Sequence, residues 1–238
     1  MSTSRENTKY EPKSTSSKTS YALIGVGLAV VVAVVGGILW QMFKPLPPID
    51  DSVLAENASF IVGERTAPET IDVFEDFRCP HCKAFEANSG AKIQAKVTEG
   101  KLRVRYHVLN ILDGESKSGD FSSRGAGAIL CVARNDNRDV FWKLHSQLFA
   151  KAESDPSNYD IAGLAAAAGA TPATQKCISG GALVGEAREM ADASAGQLRN
   201  STREGVVTPR VLSAGTIVEN LDDKAAWLDD LIANPPKS

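Results

Sequence analysis

The sequence has no excess of basic residues and only four cysteines. Its 26 Lys and Arg residues stand against 29 Asp and Glu residues, a net charge of −3, so a nucleic-acid partner is not indicated. Cys79 and Cys82 have the spacing of a ligand pair, and no second such pair is present. Because a structural zinc site needs four ligands in a closed set, the sequence argues against a metal centre.

Charged side chains are also absent from residues 22–40, which are mostly Val, Ala, Leu, Ile and Gly. This length matches what a helix needs to cross a hydrocarbon core, and Tyr21 and Trp40 bracket it as interfacial aromatics. A cleaved signal peptide is the alternative, but residues 41–44 offer no small-residue cleavage pattern. We therefore predict a transmembrane helix over residues 21–43.

The basic residues around this span are distributed unevenly, and such asymmetry sets the orientation of a membrane helix. Four precede the span and one follows it directly: Arg5, Lys9, Lys13, Lys18 and Lys44. We predict that residues 1–20 are a disordered cytoplasmic tail and that the body of the protein is exported from the cell membrane. Because disulfides persist on the exported side, all four cysteines are interpreted as redox or structural sulfurs.

The exported chain divides into a linker and three parts. Three prolines indicate that residues 44–56 form a stiff spacer. Residues 57–110 are predicted to be β-β-α-β, residues 111–204 only helices, and residues 205–238 β-β-α. The predicted class is therefore an α/β fold into which an all-helical domain is inserted.

The motif Cys-Pro-His-Cys at residues 79–82 lies where a predicted strand gives way to a predicted helix. Two cysteines in this position form a redox pair, because the unpaired N–H groups and the dipole of the helix favour the thiolate of the first. The cations Arg78 and Lys83, and His81 when protonated, are expected to lower the pKa of Cys79 further. Cys79 is also expected to be the exposed, reactive thiol.

This motif, a helical insertion, and Thr208-Pro209 before a hairpin and a final helix together resemble the DsbA family of thioredoxin-like thiol-disulfide oxidoreductases. The resemblance covers about residues 57–234. Its specific part is Glu-Asp-Phe-Arg-Cys-Pro-His-Cys at residues 75–82, since a Cys-x-x-Cys alone occurs in many settings. The membrane helix and the second pair of cysteines make the chain most similar to membrane-tethered members from Gram-positive bacteria.

The resemblance implies that Cys79 and Cys82 are the catalytic pair, tuned by Pro80 and His81. Cys79 would form a mixed disulfide with an exported substrate protein, which then leaves with the disulfide. No cofactor is implied. Turnover would need a quinone-linked membrane partner that reoxidises the pair.

Two further pairs of residues acquire expected roles from the resemblance. Thr208 and Pro209 would form a cis-proline loop that faces Cys79 and binds substrate. A bridge between Cys131 and Cys177 would tie one helix of the insertion to another, and two buried free thiols are the alternative.

Three acids precede the motif, but the buried acid that thioredoxin-like proteins often carry six residues before the first cysteine is here Val73. Asp72, Glu75 and Asp76 are interpreted as solvating the end of a strand, which leaves any proton relay to Cys82 unassigned. Two other function classes stay open: a disulfide isomerase or reductase that uses the same pair, and a non-catalytic membrane-tethered binder of exported chains.

Overall fold

A computed structural model of the protein describes residues 17–221 and 224–236, and the chain divides into two compact units, residues 1–45 and 46–238. The first unit contains helix α1 (Ser17–Phe43). Its segment Tyr21–Phe43, of mean hydropathy 2.7, is long and apolar enough to cross a membrane.

The structure describes only the last four residues of the tail predicted over residues 1–20. Residues 1–16 lie outside the described part of the chain, whereas residues 17–20 are helical. The prediction was wrong for these four residues, because α1 begins about one turn before the apolar run that was used to define it.

The second unit is an α/β domain whose helices lie mostly between its third and fourth strands. Its elements, in chain order, are α2 (Asp51–Glu56), β1 (Phe60–Val62), β2 (Glu69–Glu75), α3 (Pro80–Thr98), β3 (Leu102–Val108), α4 (Phe121–Asn135), α5 (Arg138–Lys151), α6 (Asn158–Ala168), α7 (Pro172–Ser179), α8 (Val184–Ser201), β4 (Arg210–Ser213), β5 (Thr216–Ile217) and α9 (Ala226–Ala233).

The five strands form one mixed sheet in the order β1-β3-β2-β4-β5. Strands β2 and β3 are parallel and are connected through α3, as a parallel pair requires a crossover. The other neighbouring pairs are antiparallel. Strand β2 is therefore central, and the chain leaves its carboxyl end directly into the Cys-Pro-His-Cys motif.

The residues of β2 alternate between two buried layers, because successive side chains of a strand point to opposite faces. Ile71 and Val73 belong to the main core, which also contains apolar residues of α3, α4 and α5. Phe74 belongs to a second, smaller core with Leu54 of α2 and Leu198 of α8. Since both faces are covered, the polar side chains of Asp72 and Glu75 on β2 are shielded from water.

The helices of the insertion form where apolar periodicity and capping residues predict them. Ser157 caps α6 in a reciprocal capping box with Asp160, and Gly169 ends that helix in the left-handed conformation at φ 98°. Thr171 caps α7, with Pro172 at the first helical position. These local signals account for the boundaries of the two helices without reference to tertiary contacts.

The linker predicted over residues 44–56 is wrong for its last six residues. Residues 51–56 form α2, which Asp50 caps by accepting hydrogen bonds from the N–H groups of Ser52 and Val53. Leu54 is buried, so α2 is part of the domain.

Two strands are short, since β1 covers residues 60–62 and β5 covers residues 216–217. Helix α3 is continuous through residues 88–90. The last helix, α9, is observed from Ala226.

Candidate active site

Cys79 occupies the N-cap of α3, and Pro80 occupies its first turn. The Cys79 sulfur accepts a hydrogen bond from the N–H of Cys82 at 3.4 Å, so it takes the place of a capping oxygen. The N–H of Cys79 in turn donates to the carbonyl of Asp76 at 2.9 Å. The strand-to-helix turn therefore directs the free N–H groups of the helix towards one sulfur.

The sheet places Thr208 against the same sulfur. Strand β4 pairs with β2 so that Arg210 is opposite Phe74, which sets the residues just before β4 beside the turn that follows β2. The Thr208–Pro209 peptide bond is cis, and the Cys79 sulfur lies 3.3 Å from the Thr208 carbonyl oxygen, to which it donates when protonated. The four motif residues and this loop are thus brought together.

The two thiols have opposite pKa shifts. Hydrogen bonds, first from the Cys82 thiol and then from Thr208 and the N–H groups of Cys82 and His81, lower the pKa of Cys79 to about 5 against the opposing effect of burial. Burial raises the pKa of Cys82 far above its usual value, and the adjacent Cys79 sulfur raises it further. Near neutral pH the pair therefore holds a thiolate at Cys79 and a protonated thiol at Cys82.

Cys79 is not as open to solvent as expected. Its exposed fraction is 5%, and that of Cys82 is 0%. The prediction of an exposed first cysteine was wrong, because the Thr208 loop covers the start of the helix. The order of access between the two sulfurs is nevertheless the expected one.

The lowering of the Cys79 pKa by Arg78, which the sequence predicted, is not observed. Its guanidinium donates to the carbonyls of Ala152 (2.8 Å) and Glu115 (2.9 Å), both in the helical insertion. Hydrogen bonds therefore account for the lowered pKa of Cys79, and Arg78 instead fastens the turn to the insertion. Lys83 is exposed on the outer side of α3.

A groove runs beside the cysteines, with a volume of about 350 Å³. One wall is a single stripe of α3 at helical spacing, and the other is the loop that leads into β4. The lining residues of this active-site groove are His81, Ala84, Phe85, Asn88, Val207, Thr208, Pro209, Arg210 and Leu221. Val207 is 43% exposed, so the groove presents apolar surface to solvent next to Cys79.

The three acids before the motif are buried, which contradicts their interpretation as solvated residues. Asp76 accepts hydrogen bonds from Ser122 Oγ (2.5 Å) and from the N–H groups of Leu112 (2.9 Å) and Arg78 (2.8 Å). Burial nonetheless raises the pKa of Asp76 to about 6. This carboxyl anchors the turn to the amino end of α4.

Asp72 lies in a polar network on the α8 side of β2. Both of its oxygens accept from the Arg105 guanidinium at 2.7 Å, and one is 2.8 Å from His107 Nε2. Arg105 also reaches Asp51 at 2.7 Å, and His107 Nδ1 is 2.9 Å from Ser194 Oγ. Although burial alone raises the pKa of Asp72, hydrogen bonds from His107 and Arg105 hold it below its usual value. The network ties α2 and α8 to the sheet.

Glu75 lies on the opposite side of β2, hydrogen-bonded to His145 Nε2. His145 Nδ1 is 3.7 Å from Glu86 of α3, and aromatic rings of Phe77, Tyr106 and Phe149 surround the imidazole. Burial opposes the imidazolium, but the carboxylates of Glu75 and Glu86 outweigh it and raise the pKa of His145 to about 10. A histidine cation is therefore buried between two acids behind the motif.

These two networks were missed by the sequence analysis. The signal available in the sequence was that Asp72 and Glu75 lie among apolar residues of a predicted strand. In the structure that strand, β2, is central in the sheet. A charged residue at such a position needs a buried partner of opposite charge.

Within the described part of the chain, no group of three or more His, Cys, Asp or Glu side chains is arranged to hold a metal ion.

Cys131 of α4 and Cys177 of α7 form a disulfide with a Cα–Cα distance of 5.9 Å. Of the two alternatives for these residues, the structure has the bridge. Cys131 is 1% exposed, so the bond lies inside the insertion and apart from the active-site groove.

Comparison with known proteins identifies the family and the relatives of this chain. A family model described as thioredoxin matches residues 55–230. The chain is 35% identical over 183 residues to the serine/threonine-protein kinase PknE of Mycobacterium tuberculosis, which corresponds to 74% of this chain and 32% of the kinase. It thus spans about a third of the length of that relative.

Solved structures show the same fold. The thiol-disulfide oxidoreductase MdbA of Corynebacterium diphtheriae superimposes with a TM-score of 0.66 at 21% identity, covering 80% of this chain and 98% of MdbA. Oxidised DsbA of Mycobacterium tuberculosis superimposes with a TM-score of 0.55 at 27% identity, covering 68% of this chain and 82% of DsbA. The predicted thioredoxin-like fold with many inserted helices is confirmed. Since the family model matches well over half of its length, this chain belongs to the thioredoxin family, and its named neighbours of that fold are disulfide oxidoreductases.

Proposed function

We propose that the protein is an extracytoplasmic thiol-disulfide oxidoreductase that donates the Cys79–Cys82 disulfide to exported proteins. The observation that carries this proposal is the asymmetry of the pair: the pKa of Cys79 is lowered to about 5, while that of Cys82 is raised. A stable thiolate at Cys79 favours the reduced pair, and a pair that is stable when reduced is a strong oxidant.

The reaction has two displacement steps. A substrate thiolate attacks the Cys79 sulfur, the Cys79–Cys82 bond breaks, and Cys82 leaves and takes up a proton. The second substrate cysteine, as a thiolate, then attacks the substrate sulfur of the mixed disulfide, and Cys79 leaves as a thiolate. Two electrons thereby pass from the substrate to the protein. One proton ends on Cys82, and the other is released to solvent because Cys79 remains a thiolate.

Thr208 and Pro209 are proposed to hold the substrate during these steps. The Thr208 carbonyl already contacts the Cys79 sulfur, and both residues line the active-site groove. An extended substrate segment that lies in the groove would therefore have its cysteine beside Cys79. Pro80 and His81 are proposed to tune the pair from the first turn of α3.

The membrane helix gives the proposed location. With α1 as a single-pass anchor and its basic flank in the cytoplasm, the domain that follows residue 45 lies outside the cell membrane. We propose that a quinone-linked membrane protein removes the two electrons and reoxidises the pair, since the anchor would keep the domain close to such a partner.

The reduction potential of the full chain in detergent tests the proposal. We expect a value above about −200 mV and oxidation of a reduced, unfolded protein that is lost in the Cys79→Ser variant. A value near that of thioredoxin, about −270 mV, would instead indicate a reductase. A pair that exchanges with no substrate in either direction would indicate a non-catalytic binder.

A further inference from the structure

The active-site groove contains a cation that the proposed reaction does not use. Among the lining residues that the structure describes, Arg210 carries a permanent charge and no acid is present. The Arg210 guanidinium therefore favours a ligand that brings a carboxylate.

Arg210 is largely buried, whereas its present partner is exposed. Its Nη2 atom lies 2.8 Å from Glu204 Oε2, but the Arg210 side chain is 14% exposed and that of Glu204 is 70% exposed. The Arg210 Nε atom is buried and has no hydrogen-bond partner among the described residues. An exposed partner is held weakly, and a buried unpaired donor is unfavourable, so the guanidinium has capacity for a second carboxylate.

We propose that Arg210 selects substrate segments that carry an acidic side chain near the reacting cysteine, and that Glu204 occupies the guanidinium until substrate displaces it. This inference rests on the proposed function. The occupant is an extended segment of a reduced exported protein, with an apolar side chain against Phe85, Val207 and Leu221 and a carboxylate at Arg210.

The geometry also indicates which substrate position is read. Arg210 follows Thr208 by two residues, and the Thr208 carbonyl contacts the Cys79 sulfur. Side chains on one face of an extended segment recur every two residues. An acid two positions from the substrate cysteine would therefore reach Arg210 while the cysteine reaches Cys79. A guanidinium that donates hydrogen bonds to both oxygens of a carboxylate also fixes the direction of the bound segment.

The test uses the full oxidised chain in detergent and three peptides that differ only at the position two residues from their first cysteine. These peptides carry Asp, Asn or Lys there and share a second cysteine. We expect kcat/KM to fall in the order Asp, Asn, Lys, by about three- to tenfold between the first two, mainly through KM. The preference should weaken as ionic strength rises, because the pair is partly exposed.

Three variants test whether Arg210 is responsible for the preference for the Asp peptide. Arg210→Gln should remove the preference for Asp over Asn, and Glu204→Gln should raise kcat/KM for the Asp peptide by about two- to fivefold, since the competing carboxylate is gone. Arg138→Gln, which removes the same charge at an exposed position outside the groove, should leave the ranking unchanged. Because Glu204 is exposed, its variant remains informative even if Arg210→Gln does not fold.

The outcomes separate the two proposals. Equal oxidation of the three peptides, or an unchanged preference in Glu204→Gln and Arg210→Gln, would overturn the role of Arg210 and leave the oxidase function standing. If none of the peptides is oxidised, the proposed function fails, and the inference that rests on it fails too.

Discussion

The Cys79 sulfur lies 3.3 Å from the carbonyl oxygen of Thr208, to which it donates a hydrogen bond when protonated, although 129 positions separate the two residues. The contact exists because β4 pairs with β2 and places its preceding loop over the start of α3. The environment of the Cys79 sulfur is therefore formed by two segments that are far apart in the sequence, the motif and the loop before β4.

The first prediction concerns the acidity of Cys79. Alkylation of the reduced protein should label Cys79 before Cys82, with a midpoint near pH 5. In Cys82→Ala the midpoint should move to higher pH, because the Cys82 thiol supplies the largest of the hydrogen bonds that lower the Cys79 pKa. Mass spectrometry of the labelled peptides as a function of pH measures both quantities.

Thr208→Val serves as the companion variant in the same experiment. It removes a side-chain hydrogen bond that lowers the Cys79 pKa, so its midpoint should also rise. Labelling of Cys82 ahead of Cys79 in the unmodified chain, or an unaltered midpoint in both variants, would contradict the assigned origin of the low pKa.

The second prediction concerns the bridge between Cys131 and Cys177. It should resist a mild reductant that opens the active-site pair, because Cys131 is buried and the bond is remote from the groove. Replacing both cysteines with alanine should lower the free energy of unfolding by about 2–5 kcal/mol. Peptide mapping after partial reduction checks the first statement, and denaturant titration checks the second.

Reduction of both bridges at the same concentration of reductant would argue against a purely structural role for this disulfide. The double alanine variant also has an internal control. Its Cys79 alkylation midpoint should match that of the unmodified chain, since neither residue contacts the groove.

The third prediction concerns Asp72. Asp72→Asn leaves the Arg105 guanidinium, 6% exposed, without its buried counter-ion and should destabilise the fold by about 3–5 kcal/mol. Because the folded-state pKa of Asp72 is lowered, its contribution is present above the unfolded value of about 3.9 and is lost as pH falls below it. Chemical denaturation of variant and unmodified chain across pH 3 to 7 measures the difference.

Asp192→Asn is the matched control, because Asp192 is an exposed acid on α8. It should change the free energy of unfolding by less than about 0.5 kcal/mol. Equal stability of the two variants would show that the Asp72 network contributes little.

The fourth prediction concerns His145. His145→Gln leaves Glu75 and Glu86 without the buried cation and should also cost about 3–5 kcal/mol of stability. The folded-state pKa of about 10 lies above the unfolded value of about 6.5, so the contribution is complete below pH 6.5 and is lost as pH rises towards 10. The gap in unfolding free energy should therefore narrow between these pH values.

His81→Gln provides the comparison for this variant, because His81 is exposed and should change stability by less than about 0.5 kcal/mol. A gap that stays constant from pH 6 to pH 10 would indicate that His145 is neutral in the folded protein.

The local features of this protein could be predicted from its sequence. The apolar run of α1, the periodic helices of the insertion and the strand-to-helix position of Cys79 depend on neighbours a few residues apart, and such patterns are visible in the sequence. The resemblance to a known family supplied what spacing alone does not, namely that Thr208 and Cys79 meet.

The partners of the buried charged side chains depend on the tertiary structure. Asp72 and Glu75 looked like solvated residues because their partners Arg105 and His145 are 33 and 70 positions away. Arg78 looked like a partner of Cys79, but the insertion supplies carbonyl groups that bind it better. Adjacency in sequence is a poor guide to electrostatics in a central strand, since both faces of that strand are covered by segments that the chain brings back from far away.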